Sequence, residues 1–477
     1  EPFFDCPPLF FWITNISCLI FGKISALSVR FPISVCAVLA VLFLFFSVNK
    51  ILRKTSAIII SLIYALSLGI LIFSRLATND LLSSSLIMFS VLFLYLLIFS
   101  KKEKYRMLLW TGVFLFSALS VLSSGLFGFF IPLFASCSML IFTGRSRELL
   151  KFKNLLPGTF IFLLLVCPWY YLMFNKHGIL YVNECLQIYN FLKYTGFKEC
   201  FYTLCLFLIL FFPWSFAFLW MLGAKFKDII NSVISYFIDN SEEKLREKWK
   251  KLKQIDKFIS LNTILFFTSL IFALLYGAKY TYLILFLLFP ASCISGYYWY
   301  EYIVKKKHDK SIFFATLIPD ILLIICSLVA LFGHNILNKW IFESLSYLVI
   351  PLIIIFFIIP VIGIFAVILK GRTIAFISNI VLMISLSFII TPSIFNFLTL
   401  KGGENDLINF AQIAKKDKVK LSAFISSKKY SLLYYYDNNI TFYDNKDFEK
   451  LREYLKANPN DYVVTEIKDL WTIEDKK

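Results

Sequence analysis

Long apolar runs separated by short polar breaks dominate the chain and predict membrane-spanning helices. The runs Ile58–Phe73 and Leu345–Leu369 are almost unbroken, whereas the strands of a membrane barrel would alternate apolar and polar residues. Lipid offers no hydrogen-bond partner to the backbone, so runs of about 20 residues must cross it as helices. The predicted spans are residues 31–48, 56–73, 81–99, 107–122, 126–142, 156–174, 201–222, 258–276, 280–300, 312–332, 345–369 and 374–392. The fold class predicted is an all-α polytopic membrane protein with about 12 transmembrane helices.

The two ends of the chain depart from this pattern. Residues 9–21 are apolar but too short to span, which predicts a helix lying in the outer interface of the membrane. From about residue 398 the composition becomes that of a soluble protein, and the patterns predict a small C-terminal α/β domain. Its predicted elements are strands at Val419–Ser426, Ile440–Tyr443 and Tyr462–Ile467 and a helix at Asp447–Ala457. The predicted domains are therefore 1–397 in the membrane and 398–477 outside it.

The distribution of charge predicts the orientation of the spans. The formal net charge is +18 and the chain is 59% hydrophobic, but its Lys and Arg residues concentrate in alternate loops. These loops are residues 50–54, 101–104, 145–153, 244–257, 305–307 and 370–372. Basic loops face the cytoplasm, and their charge meets anionic lipid rather than nucleic acid. The loops that contain Arg75–Asp80, Ser123–Gly125, 175–199 and Ala278–Tyr280 are then predicted to lie outside, with everything after about residue 393.

Ionisable residues in these outer segments are the candidates for chemistry. Asp5 and Asp80 could serve as general bases, and Arg75, Lys279 and Tyr282 could bind a carrier phosphate. Each has an alternative role: Asp80 as a helix cap, Arg75 as a snorkelling side chain, Lys279 as an interfacial anchor and Asp5 as a turn residue. The three histidines are scattered over loops on both sides, which argues against a histidine metal site.

Six short segments resemble the landmarks of a known family. Arg75-Leu76-Ala77-Thr78-Asn79-Asp80, for example, resembles a family loop of the form A-R-x-A-x-x-D. The segments are Glu1–Trp12, Arg75–Asp80, Ser123–Leu126, Cys167–Tyr170, Phe212–Ser215 and Ala278–Tyr282, and they occur in the family's order. The family is that of bacterial polyprenyl-phosphate-dependent GT-C glycosyltransferases, related to aminoarabinose lipid A transferase and protein O-mannosyltransferase.

The resemblance implies an integral-membrane enzyme of the bacterial cytoplasmic membrane that works at its outer face. A sugar on a polyprenyl phosphate would pass, with inversion, to a lipid A or other glycolipid, a polysaccharide or a protein. Asp80 matches an acidic catalytic position of the family and Lys279 a contact to the carrier phosphate, with Arg75 as a supporting cation. No cofactor beyond the lipid-linked donor is implied with certainty, and a requirement for a divalent cation is left open.

Departures from the family pattern keep other hypotheses open. The family's first span and its first external loop, which carries the other catalytic acid, would precede Glu1. Cys6 and Ser124 stand where lysines are usual, and Tyr189-Asn190 stands where His-Asn is common. The alternatives are a transporter or flippase of lipid-linked sugars and a catalytically inactive homologue. A transporter would be expected to place ionisable groups near the middle of the bilayer.

Overall fold

The computed structural model is mainly helical. It describes residues 7–100, 102–145, 149–186, 196–223, 247, 249–276, 279–332, 339–401, 416, 421–424, 441–443, 448–457 and 462–465. The candidate Asp5, together with Cys6, Tyr189 and Asn190, lies outside these described residues. The chain divides into two compact units, one of Glu1–His334 with Pro351–Ser387 and one of Asn335–Ile350 with Phe388–Lys477.

The first unit is a bundle of helices. In chain order they are α1 (Leu9–Ile20), α2 (Ala26–Ile51), α3 (Lys54–Ala65), α4 (Leu68–Phe73), α5 (Asn79–Phe99), α6 (Arg106–Ser124), α7 (Phe127–Thr143), α8 (Phe152–Leu186), α9 (Phe197–Leu210), α10 (Ser215–Gly223), α11 (Gln254–Tyr276), α12 (Thr281–Lys305) and α13 (Asp309–Phe332). Two further helices follow, α14 (Lys339–Ile368) and α15 (Arg372–Lys401).

Seven helices of the described residues are long and apolar enough to cross a membrane, or eight if α9 and α10 form one bent span. The seven coincide with predicted spans 31–48, 81–99, 107–122, 156–174, 258–276, 280–300 and 312–332. Helices α14 and α15, each 30 residues long, cover the last two predicted spans. The predicted total of twelve stays a prediction.

The predicted span 56–73 is wrong as a continuous helix, because the chain breaks at Ser67. The Ser67 hydroxyl donates to the Tyr64 carbonyl at 2.8 Å, and helix α4 begins at the next residue. The backbone N–H of Leu68 donates to the carbonyl of Phe212, 3.2 Å away. The Leu68 N–H thus finds its hydrogen-bond partner in a distant segment of the chain. Such a partner cannot be predicted from the apolar run itself.

The predicted span 201–222 is also interrupted, since the chain bends by 117° between α9 and α10. Pro213 lies at the bend and has no backbone N–H with which to continue the helix. The Ser215 hydroxyl donates to the Leu208 carbonyl at 2.6 Å and closes the turn. Trp214, only 1% exposed, packs against Trp299 of α12 with ring centroids 6.1 Å apart.

Helices α5 and α12 form the centre of the unit, and nearly all their side chains are buried. Helix α12 crosses α3 where Gly296 lies, and a Cβ at this position would come within 2.7 Å of the Ile60 Cα. The backbones of α12 and α3 therefore approach as closely as a glycine permits, as is common for helices packed within membranes.

Helix α1 has the length and the exposed apolar surface expected of the predicted interfacial helix. Its 12 residues leave Trp12, Leu19 and Ile20 exposed, while Leu9 and Ser17 are buried. The Ser17 hydroxyl donates to the Ser28 carbonyl of α2 at 2.6 Å. The exposed apolar side chains are what a lipid interface would cover, and the interfacial location stays a prediction.

The second unit contains a small parallel sheet. Its strands β1 (Leu421–Phe424), β2 (Thr441–Tyr443) and β3 (Tyr462–Thr465) lie in the order β2-β1-β3. Ser422 pairs with Thr441 on one side and with Val463 on the other. Helix α16 (Phe448–Ala457) connects β2 to β3, as parallel strands require. Strands and helix fall within the segments in which the sequence pattern places them, whereas the extracytoplasmic location stays a prediction.

Candidate active site

Three helix ends meet around Asp80, the main candidate from the sequence. Asp80 lies in the first turn of α5, where the helix dipole favours a negative charge. Its carboxyl interacts with the side chain of Thr78 and with backbone N–H groups of Tyr282 and of Asp80 itself. Tyr282 belongs to the first turn of α12, so the α12 backbone contributes directly to holding the carboxyl. Asp80 therefore does more than cap its own helix.

The end of α6 completes this arrangement through hydrogen bonds to Asn79. The Asn79 amide donates to the Ser123 carbonyl at 2.5 Å, and the Ser123 hydroxyl donates to the Asn79 side-chain oxygen at 2.6 Å. The Ser83 and Ser123 hydroxyls are 2.8 Å apart, and the Tyr282 hydroxyl donates to the Ser124 carbonyl at 3.3 Å. Asn79, Asp80, Ser123 and Tyr282 are called the Asp80 junction below.

The segment before the junction carries Arg75, which is partly buried. Its guanidinium donates to the Leu71 carbonyl at 2.6 Å, near the end of α4. Partial burial lowers the pKa of this guanidinium, although arginine stays protonated in proteins. The Ser34 hydroxyl of α2 donates to the carbonyl of Ser74 at 2.7 Å and fixes the neighbouring backbone. Arg75 is thus tied to the end of α4, and its location at the membrane interface stays a prediction.

Lys279 lies just before α12, in an aromatic setting. Its side chain is exposed, and its ammonium nitrogen is 5.4 Å from the centre of the Tyr280 ring, a cation–π contact. The Tyr280 ring is 5.7 Å from that of Tyr282 and 5.3 Å from that of Phe127 at the start of α7. This cluster places Lys279 at the same end of α12 as the Asp80 junction.

The structure brings only some of the sequence candidates into contact. Asp80 and Tyr282 are joined directly, whereas within the described part of the chain no ion pair links Asp80 to Arg75 or Lys279. Pro7, the first described residue, lies near the turn between α6 and α7, with its Cγ 3.9 Å from a Cβ built on Gly125. Among the described residues, no three His, Cys, Asp or Glu side chains are grouped so as to hold a metal ion.

Sequence reasoning missed two sets of polar residues. Asn79 and Ser123 stand in the motif segments, but their pairing across 44 positions of sequence leaves no local signal. Asp320 was also missed; it follows Pro319 inside an apolar run and is 5% exposed in the middle of α13. An ionisable residue within a predicted span is the signal from which Asp320 could have been identified.

Comparisons with known proteins agree with this architecture. Residues 5–172 match the family model for dolichyl-phosphate-mannose-protein mannosyltransferases, a stretch that includes Asp5, Arg75 and Asp80 but ends before Lys279. The crystal structure of ArnT from Cupriavidus metallidurans bound to undecaprenyl phosphate superposes with a TM-score of 0.66 at 14% identity. That match covers 97% of this chain and 80% of ArnT. The first third of the chain thus resembles the mannosyltransferase family model, and nearly the whole chain superposes on ArnT.

Two further matches extend the comparison. The apo state of the same ArnT gives a TM-score of 0.64 at 13% identity, over 98% of this chain and 80% of that one. An uncharacterized protein of Aquifex aeolicus (strain VF5) is 27% identical over 201 residues, which are 41% of this chain. The match spans only 44% of that relative's length. At these identities the solved structures establish that the chain has the ArnT fold.

Proposed function

We propose that this protein is an integral-membrane glycosyltransferase that uses a sugar on a polyprenyl-phosphate carrier as its donor. The position of Asp80 carries the proposal: a carboxylate is held where three helix ends meet, inside the part of the chain that matches the mannosyltransferase model. A carboxylate in such a place can act as a general base. The reaction takes place at the outer face of a bacterial cytoplasmic membrane, where the charge pattern puts this end of the helices.

In the proposed step, Asp80 takes the proton of an acceptor hydroxyl or amine. The acceptor atom attacks the anomeric carbon of the sugar, and the bond from that carbon to the carrier phosphate oxygen breaks. Attack comes from the face opposite the carrier phosphate, which leaves with the bonding electrons, and this single displacement inverts the anomeric centre. The acceptor is a glycolipid such as lipid A, a polysaccharide or a protein.

The negative charge that develops on the departing phosphate is stabilised by nearby cations, so the reaction needs no general acid. Arg75 and Lys279 lie in segments flanking the Asp80 junction and supply positive charge for this purpose. Tyr282 is proposed as a further contact to the carrier phosphate; its backbone N–H lies at the Asp80 carboxyl and its hydroxyl donates to the Ser124 carbonyl. Asp5 remains proposed as the second carboxylate.

Binding of the carrier tests this proposal. The purified full chain in lipid nanodiscs is titrated with undecaprenyl phosphate and with undecaprenol, which has the same tail and no phosphate, and binding is followed by native mass spectrometry. Undecaprenyl phosphate should bind at least about tenfold more tightly, because one charge-assisted contact is worth about 1.5–3 kcal/mol. Equal affinity for the two lipids would show that the site does not recognise the phosphate and would contradict the proposal.

A further inference from the structure

A carboxylic acid lies in the middle of the membrane-spanning part of α13, away from the Asp80 junction. Asp320 is the twelfth of the 24 residues of this helix, and 5% of its surface is exposed. The span around it, Lys310–Val329, has a mean hydropathy of 2.5. An ionisable side chain at this depth is costly to keep and is characteristic of a functional position.

A glycine on the neighbouring helix makes room for this carboxyl. A Cβ on Gly363 of α14 would lie 2.8 Å from Asp320 Oδ2 and 3.1 Å from the Ser378 Oγ of α15. The Asp320 oxygen of α13 and the Ser378 oxygen of α15 therefore both lie against Gly363 of α14. A larger residue at position 363 would collide with them. The Ser378 hydroxyl donates its own hydrogen to the Ala375 carbonyl at 2.9 Å, so its oxygen still offers lone pairs to a donor.

No positive charge compensates Asp320 among the described residues. The charged or ionisable basic side chains described on α13, α14 and α15, or just beyond their ends, all lie near the helix ends: Lys306, Lys307, His308, Lys310, Lys370 and Arg372. Arg372 precedes Ser378 by six residues, about 9 Å along the helix. The other described titratable group on these helices is Cys326, which is exposed. A carboxylate buried in apolar surroundings without a counter-charge is so unfavourable that the group takes up a proton instead.

We propose that Asp320, with Ser378 beside it and Gly363 making space, is a proton-binding site within the membrane. The neutral carboxyl carries a donor hydrogen that a carboxylate lacks. The site is separate from the Asp80 junction, and its existence does not depend on the proposed glycosyl transfer. This chain therefore also contains an ionisable group near the middle of the bilayer, as expected of transporters, in addition to the candidate active site at the helix ends.

The infrared spectrum of the carboxyl group tests this proposal directly. The full chain in nanodiscs is compared with its Asp320→Asn variant by difference infrared spectroscopy from mildly acidic to mildly alkaline pH. The wild type should show a carbonyl band of a protonated carboxylic acid that is lost in Asp320→Asn. Carboxylate bands in its place would overturn the proposal.

Two variants keep this test decisive. Glu301→Gln is the matched control. Glu301 of α12 is an acid paired with Lys305 at 2.9 Å and hydrogen-bonded by Tyr297 at 3.0 Å. The Glu301→Gln substitution should leave the acid band intact. Ser378→Ala should shift the frequency of the acid band without removing it. This shift assigns the band to Asp320 if the Asp320→Asn variant does not fold. An unshifted band in Ser378→Ala would contradict the role given to Ser378.

A small cation is the competing occupant of this site, and the same measurement separates it from a proton. Spectra are recorded in sodium chloride and in choline chloride of equal concentration. The acid band should be the same in both, because a proton already neutralises the carboxyl. Conversion of the band to a carboxylate band by sodium would show a cation site and overturn the proposal.

Discussion

The Asp80→Asn variant is expected to lose sugar transfer by roughly 10²–10⁴-fold, the range that a general base contributes. The amide keeps the shape of the carboxyl but cannot accept the acceptor's proton. Folding and carrier binding should persist, since Asn79, Ser123 and Tyr282 still join the ends of α5, α6 and α12. Transfer is measured as loss of labelled sugar from the polyprenyl-phosphate donor, and carrier binding by native mass spectrometry.

Asp256→Asn is the matched control for this variant. Asp256 also stands in the first turn of a long helix, α11, and is exposed, so it shares the helix-dipole role of Asp80 without the contact to α12. Its substitution should leave transfer unchanged. Full transfer activity in Asp80→Asn would remove Asp80 from the mechanism, and an equal loss in both variants would point to helix stability instead.

Replacing Arg75 and Lys279 together by glutamine should weaken the binding of undecaprenyl phosphate by roughly 10²-fold or more. The estimate takes about 1.5–3 kcal/mol for each charge-assisted contact to phosphate. Each single variant should show a part of this loss. The neutral lipid undecaprenol should bind the double variant and the wild type equally, because glutamine keeps much of the side-chain length and removes only the charge.

Lys23→Gln provides the control for a general loss of positive charge. Lys23 is exposed in the turn between α1 and α2 and lies on the predicted outer side, so it shares the location but not the proposed contact. Its loss should change carrier binding little, and any change should fade at high salt. A comparable loss of affinity in Lys23→Gln would mean that the carrier responds to surface charge rather than to Arg75 and Lys279.

The long helices could be predicted from hydrophobic runs, but the breaks within them could not. Helices α2, α5 and α12 lie where runs of about 20 apolar residues place them. The break at Ser67 depends on the Phe212 carbonyl, which accepts from Leu68 across 144 positions of sequence. Hydropathy averages over a window and is insensitive to such a partner, so 56–73 and 201–222 were predicted as single helices.

The candidate site was predictable as a set of residues but not as a geometry. Asp80 and Tyr282 stand in segments that resemble family landmarks, and the structure places them in contact. The pairing of Asn79 with Ser123 depends on how α5 and α6 end, which a motif does not encode. Asp320 was not among the candidates, because a single polar residue hardly changes the mean hydropathy of the span that contains it.

The central claim is that a sugar leaves a polyprenyl-phosphate carrier on this protein. The most direct measurement reconstitutes the full chain in liposomes with radiolabelled polyprenyl-phosphate sugars and a crude bacterial envelope fraction as acceptor, and follows release of the free carrier phosphate. The account predicts protein-dependent release of carrier phosphate with label appearing in the acceptor fraction. Unchanged donor that moves across the bilayer, with no carrier phosphate released, would contradict the account and identify a transporter.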